Sequence, residues 1–117
     1  MTEKNLKTII INELDELQAF ELNTLDISKM STIADFMIVC SGRSKRHVVS
    51  IAKNLVDKLK LDDIRPASVS GLESGEWVLV DYGDYLVHIM QPTTRAFYNI
   101  ESLWELRPDE SDSISSA

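Results

Sequence analysis

Asp35-Phe36-Met37-Ile38-Val39-Cys40-Ser41-Gly42-Arg43-Ser44, and the run that follows it to Lys60, decide the fold of this chain. Residues 36–40 are apolar at every position. A strand with one wet face alternates, so a run without alternation reads as a central strand buried on both faces. Ser41-Gly42-Arg43-Ser44 breaks that strand, and Ser44 is placed to cap a helix by accepting a backbone N–H of its first turn. Beyond it, Val48, Ile51, Ala52, Leu55, Val56 and Leu59 recur at i, i+3, i+4, i+7, i+8 and i+11, the apolar stripe of an amphipathic helix.

Working outward, Leu6, Ile10, Leu14 and Leu17 recur at helical spacing, which predicts an opening helix over 3–19. Glu21 to Ile27 reads as a modest strand. Downstream, Pro66 and Gly71 bracket a short strand at 67–70. The β-rich runs 76–80 and 84–90 flank Asp81-Tyr82-Gly83 as a hairpin. Pro92 ends the second run, and Asn99 is placed to cap a last short helix carrying Ile100, Leu103 and Trp104. The order is α-β-β-α-β-β-β-α. The helix between the strands at 35–40 and 67–70 implies a crossover, and the final strands pair antiparallel, so the sheet is mixed. The expectation is a single α/β domain over 1–107, a mixed and mostly five-stranded sheet with flanking helices. The Asp- and Ser-rich tail over 108–117 reads as disordered.

The chain has 117 residues, 44% hydrophobic and 26% charged, which fits one soluble globular domain. No apolar run approaches the roughly 18 residues of a membrane span. Glu13, Asp15 and Glu16 soon follow Ile9-Ile10-Ile11, which is not the pattern of a signal or transit peptide. The lone Cys40 allows neither an internal disulfide nor a multi-cysteine zinc site, so the expected location is a reducing cytoplasm. Net charge is −7, unevenly spread: residues 43–61 hold six cations against Asp57 alone, a balance of +5, which leaves −12 elsewhere. So acidic a body suits a basic protein partner better than nucleic acid in general. Simple solubility is the competing explanation.

The residues that could carry chemistry have plainer explanations. Cys40 with His47 suggests a thiol and its base, but Cys40 lies in the most apolar strand, where cysteines are commonly inert packing. His47 and His88 show no metal-ligand spacing. Ser41-Gly42-Arg43-Ser44 resembles an anion-binding turn. A nucleotidyltransferase would add paired acids on a neighbouring strand to hold magnesium, and Asp81 and Asp84, three apart across a turn, are wrongly arranged for that. Nucleotide handling is the alternative to a non-catalytic binding role, and the expectation is no catalytic residue, no metal and no cofactor. Arg43, Lys45 and Arg46 oppose the helix macrodipole, which suggests a partner, either an acidic protein patch or an RNA phosphate, against the alternative of a solvated face.

The hairpin decides what each sheet face displays. A two-residue turn at Tyr82-Gly83 needs positive φ at tyrosine, which its Cβ disfavours. The preferred reading is a three-residue loop, Asp81-Tyr82-Gly83 with left-handed Gly83 and a G1 bulge, pairing Val80 with Asp84 and Val78 with Leu86. Trp77, Leu79, Tyr85, Val87 and Ile89 would then form a core face. Glu76, Val78, Val80, Asp84, Leu86 and His88 would form a mixed face suited to a protein partner, or a second core face under a helix.

At these residues the sequence resembles a known family. Ser31 to Val48, then Gly75 to Asp84 with His88, then Arg95-Ala96-Phe97-Tyr98 and Leu103-Trp104, resemble the three signature blocks of the ribosomal silencing factor (RsfS, iojap-like) family. Arg43 departs from the threonine common there. The resemblance implies a nucleotidyltransferase-like fold without the transferase's catalytic acids. It implies a translation repressor that binds the large ribosomal subunit through ribosomal protein number fourteen and blocks association with the small subunit. The basic helix could then lie near ribosomal RNA or support a homodimer. The partner-binding residues expected are Glu76, Trp77, Asp81, Tyr82, Asp84, His88, Arg95 and Tyr98, with Arg43, Lys45 and Arg46 as a secondary contact. Exposed groups near the hairpin turn, Tyr82 and Asp84, are expected to carry a disproportionate share of binding.

Overall fold

The structure, a computed structural model, describes residues 3–105, with side chains from 6 to 103. The tail expected from residue 108, and the side chain of Trp104, lie outside the described residues. The chain opens with α1 (Glu3–Glu16), β1 (Phe20–Asp26) and β2 (Phe36–Ser41). It continues through α2 (Lys45–Lys60), β3 (Ser68–Ser70), β4 (Trp77–Asp81) and β5 (Tyr85–Met90). Two short helices close it, α3 (Pro92–Tyr98) and α4 (Ile100–Glu105).

The five strands lie in the order β1-β2-β5-β4-β3. β2 pairs with β5 in parallel, and every other pair is antiparallel. The sheet is therefore mixed, as the element order implied. The crossover through α2 is wider than a simple β-α-β unit, because β3 runs in the direction of β2 but lies beyond β5 and β4 at the far edge. A three-residue edge strand leaves little unpaired backbone to recruit a foreign strand.

β2 is buried on both sides, as its unbroken apolar run required: Ile38 and Cys40 join one core, Met37 and Val39 the other. The first core lies under α1 and α2, where Ile10, Leu14, Val48, Ile51, Ala52, Leu55 and Leu59 meet Val78, Val80, Val87 and Ile89 of the sheet. Ser44 caps α2 as expected, its Oγ accepting the His47 N–H at 3.1 Å. The second core is smaller. Ile27, Ala34, Met37, Val39 and Met90 form it, with Leu25, Trp77, Leu86 and Ile100 packed around them.

The hairpin register differs from the expected one. Val80 pairs Val87 and Val78 pairs Ile89, three residues further along β5 than the bulged loop would give. The connection is a two-residue turn at Gly83-Asp84: Gly83 stands at φ 86, and the Tyr82 N–H donates to the Tyr85 carbonyl at 2.9 Å. Glycine in the first central position makes the turn a II′ type, which needs no positive φ at tyrosine. Asp81 Oδ1 accepts the Gly83 N–H at 2.8 Å and fixes it. An odd shift exchanges the faces of β4 relative to β5. The gain is a four-residue apolar layer, Val78, Val80, Val87 and Ile89, all fully buried beneath the helices. Trp77 and Leu79 therefore stand on the opposite face, with Leu86 and His88.

Two glycines show how differently this backbone tolerates a side chain. Gly83 has open space where a Cβ would go, whereas a Cβ on Gly71 (φ 91) would run into the Trp77 carbonyl oxygen. Gly83→Ala should cost on the order of 1–2 kcal/mol, the cost of placing a Cβ at a positive φ with no steric clash added. Gly71→Ala should cost clearly more, because backbone has to move. Urea unfolding of the two variants checks this, and equal midpoints would contradict the register described here.

Candidate protein-binding face

α1 and α2 cover one side of the sheet, and among the described residues only short elements cover the other. The chain reaches that side through α3. Pro92 occupies its first turn, where a missing N–H costs nothing, and Gln91 precedes it in extended conformation. Asn99 ends it in the left-handed region at φ 45, its N–H donating to the Arg95 carbonyl. From sequence alone, Pro92 marks the end of a strand and Asn99 a cap for the last helix. Pro at a helix start and Asn just past its end, seven residues apart, were the signals for α3.

The result is an aromatic row. Phe97 packs edge-on against Tyr98 with ring centroids 4.9 Å apart, and Tyr98 lies 5.2 Å from Trp77. Trp77 in turn lies 5.9 Å from His88. Next to His88 a groove of ≈ 190 Å³ runs between Ile27, Ser31, Ile33, Met37, Leu86, Ile100 and Leu103. Phe97 and Ile33 are each 79% exposed, Leu103 67% and Tyr98 55%. Four large apolar side chains so open to water, around a sheet face of Trp77 and Leu86, form the kind of patch that marks a docking surface.

Beneath the row lies a polar network. Arg95 donates from Nε to Glu101 at 2.7 Å, from a second nitrogen to the same carboxylate at 3.1 Å, and from the third to Ser41 Oγ at 2.9 Å. Asn23 Nδ2 donates to Glu101 at 2.7 Å. Arginine's rigid fork matches the carboxylate, and the Arg95 hydrogen bond, ahead of all else, holds the Glu101 carboxyl below its usual pKa. Four elements, β1, β2, α3 and α4, are tied together, so the aromatic residues of α3 stand on a fixed base.

The expected site residues divide. Trp77, His88 and Tyr98 converge on one surface. Arg95 lies below it, its guanidinium committed to Glu101 and Ser41. Glu76 is exposed at the start of β4, and its carbonyl accepts the Gln91 N–H at 3.0 Å. Asp81 shares the Trp77 face of β4 but secures the turn, and Asp84 is exposed at that turn. Tyr82 is a correction. It was expected as an exposed hot spot, but it packs half-buried against the helical core, and burial of its phenol pushes the pKa up to about 12. The even step from Val80 places it on that side. Arg43, Lys45 and Arg46 are all exposed around the start of α2.

His47 has a structural role. Its Nδ1 accepts the Arg43 N–H at 2.9 Å and its Nε2 meets the Leu17 carbonyl at 3.0 Å, joining the start of α2 to the end of α1. Cys40 is fully buried, and desolvation pushes its thiol up to about 12. Among the described residues no group of three or more His, Cys, Asp or Glu side chains is placed to hold a metal ion. No described helix is long and apolar enough to cross a membrane.

The described residues form a mixed α/β domain, covered by helices on one face and carrying an aromatic patch on the other. The full chain, residues 1–117, matches the family described as "Ribosomal silencing factor during starvation". A Zymomonas mobilis protein named ribosomal silencing factor RsfS is 39% identical over 107 residues, 92% of this chain and 80% of its own. A crystal structure of a Chromobacterium violaceum protein superposes with a TM-score of 0.86 at 38% identity, covering 92% of this chain and 91% of that one. A Bacillus halodurans crystal structure gives 0.79 at 32% identity, covering 87% and 95%. This chain belongs to the ribosomal silencing factor family.

The Trp77–His88 pair has a pH consequence. Trp77 Nε1 donates to His88 Nδ1 at 3.0 Å, so that nitrogen has to be unprotonated, and burial holds the His88 pKa down to about 4 against an ordinary 6.5. The unfolded chain therefore binds the extra proton first. This contribution to stability is whole above pH 6.5, declines as pH falls from there to about 4, and then levels off. Its size is on the order of 3 kcal/mol. Unfolding free energies between pH 4 and 7 should fall more steeply with acid in wild type than in His88→Gln, and parallel profiles would contradict this.

Proposed function

We propose that this chain represses translation by binding the large ribosomal subunit and keeping the small subunit from joining it. The single observation that carries the reading is family membership over the whole length of the chain. The resemblance that the sequence carries then points to ribosomal protein number fourteen as the docking site. The aromatic row from Phe97 to Trp77, with the groove beside it, is the contact surface in this reading. Specific interfaces bury roughly 600–1,000 Å² per partner, a modest share of the 7210 Å² this chain exposes. Exposed Glu76 beside Trp77, on a body carrying −12 outside residues 43–61, favours a basic partner.

A steric blocker performs no reaction, and a nucleotidyltransferase-like scaffold without the transferase's acid pair fits that role. Asp81 serves the hairpin turn and Asp84 points to solvent there, which supports a fold retained without its chemistry. The site of action is the cytoplasm, where subunits meet.

Purified subunits mixed with increasing protein and separated on a gradient test this. The joined-ribosome peak should shrink while the protein co-migrates with the large subunit. Phe97→Ala with Tyr98→Ala should weaken binding by about tenfold or more, a loss typical of central aromatic anchors, with thermal unfolding nearly unchanged. Tyr82→Ala, by contrast, should lower the unfolding temperature. A joined peak that persists at saturating protein, with no protein in the large-subunit fractions, would mean that the proposal is wrong.

A further inference from the structure

The two ring nitrogens of His88 have different roles. An indole N–H can only donate, so the nitrogen that Trp77 Nε1 meets at 3.0 Å, His88 Nδ1, is an acceptor. A neutral imidazole carries one proton, and with Nδ1 bare that proton sits on Nε2. Burial disfavours the charged form and keeps the ring neutral around pH 7. Trp77 therefore sets the tautomer from the neighbouring strand, and Nε2–H is left as a donor.

That donor has no acceptor among the described residues. His88 is only 8% exposed. Yet among the described side chains the fully enclosed polar atom without a partner is the Tyr82 hydroxyl, not this nitrogen. Nε2 thus keeps a narrow access, and the groove of ≈ 190 Å³ is the opening that His88 lines. Apart from His88 and Ser31, every residue lining that groove is leucine, isoleucine or methionine. The Ser31 Oγ already accepts the Ile33 N–H at 3.0 Å.

We infer that His88 Nε2–H is the specificity-determining donor of this groove, which takes one apolar side chain of a protein partner together with a neutral carbonyl beside it. The volume suits a single side chain, since a cavity of about 150 Å³ with similar walls holds benzene. A carboxylate is a poor occupant, because no cation lines the groove to offset its desolvation. A nucleotide base is no better: the walls offer no aromatic ring beyond the imidazole to stack on, and no cation for its phosphate. A purely apolar occupant would seal the N–H away from water without an acceptor, a larger penalty than the hydrogen bond's own net gain. The donor so separates partners that fill the groove equally well. The inference rests on the reading that this face docks on the large subunit.

Two substitutions separate the two nitrogens, because an asparagine amide reaches the position of Nδ1 and a glutamine amide that of Nε2. His88→Asn keeps an acceptor for Trp77 and loses the groove donor. His88→Gln keeps a donor toward the groove and gives up the Trp77 bond. Affinity for purified large subunits should fall about tenfold in His88→Asn, and His88→Gln should recover most of that loss. Nitrogen NMR of the isotope-labelled free protein near neutral pH reads the tautomer with no substitution at all. It should show His88 protonated at Nε2 and bare at Nδ1. A protonated Nδ1, an Asn variant that binds as wild type does, or a Gln variant that binds no better than Asn would overturn the inference and leave the docking proposal standing. Failure of wild type to co-sediment with the subunit would overturn both.

Discussion

β2 and β5, paired in parallel at the centre of the sheet, are buried on both faces, and the remaining architecture follows from the need to cover them twice. Ile38, Cys40, Val87 and Ile89 need one cover, and Met37, Val39, His88 and Met90 need another. Of the described helices, the two long ones both go to the first side. The second side is left to a loop at 27–34 and two short helices. Its core is complete at Met37 and Val39 but thins toward Trp77, Leu86 and Leu103. Among the described residues, this is the face left open to a partner.

An unfinished core is useful only if it holds its shape, and the Arg95–Glu101 pair supplies that. Its side chains are 15% and 16% exposed, between the screened surface and the dry interior. The bidentate geometry, with Ser41 and Asn23 completing the network, offsets much of the desolvation that both ions suffer. α3 is too short to be a stable helix alone. Fastened through Arg95 to β2 and α4, it presents Phe97 and Tyr98 in one arrangement. Part of the ordering cost of binding is thereby met before any partner arrives.

Most of the fold was legible in the sequence because periodicity reports burial. The unbroken run 36–40 and the stripe from Val48 to Leu59 predicted β2, α2 and the strand-turn-helix between them, and Ser44 was read correctly as a cap. The hairpin was not legible from its turn. Asp81-Tyr82-Gly83-Asp84 admits several loops, and local φ preferences separate them weakly. The choice was made by long-range packing, the match of Val78 and Val80 to Ile89 and Val87 under the helices. That same error of register hid the position of Trp77 and misplaced Tyr82. Trp77, His88 and Tyr98, expected as binding residues, lie together in space. Phe97, Leu103 and Ile33 were missed as a surface, because no linear pattern joins residues 33, 97 and 103. Arg95 shows the converse: a conspicuous arginine whose guanidinium is committed inside the fold.

The central claim is that the chain docks on the ribosome through the open side of the sheet. Amide hydrogen exchange of the protein, free and bound to purified large subunits, tests it most directly. Exchange should slow in residues 31–34 and 95–103, which border the aromatic row and its groove, while α1 exchanges as in the free protein. Slowing across α1 with residues 95–103 unchanged would show that the chain binds through its helical side and would contradict the account.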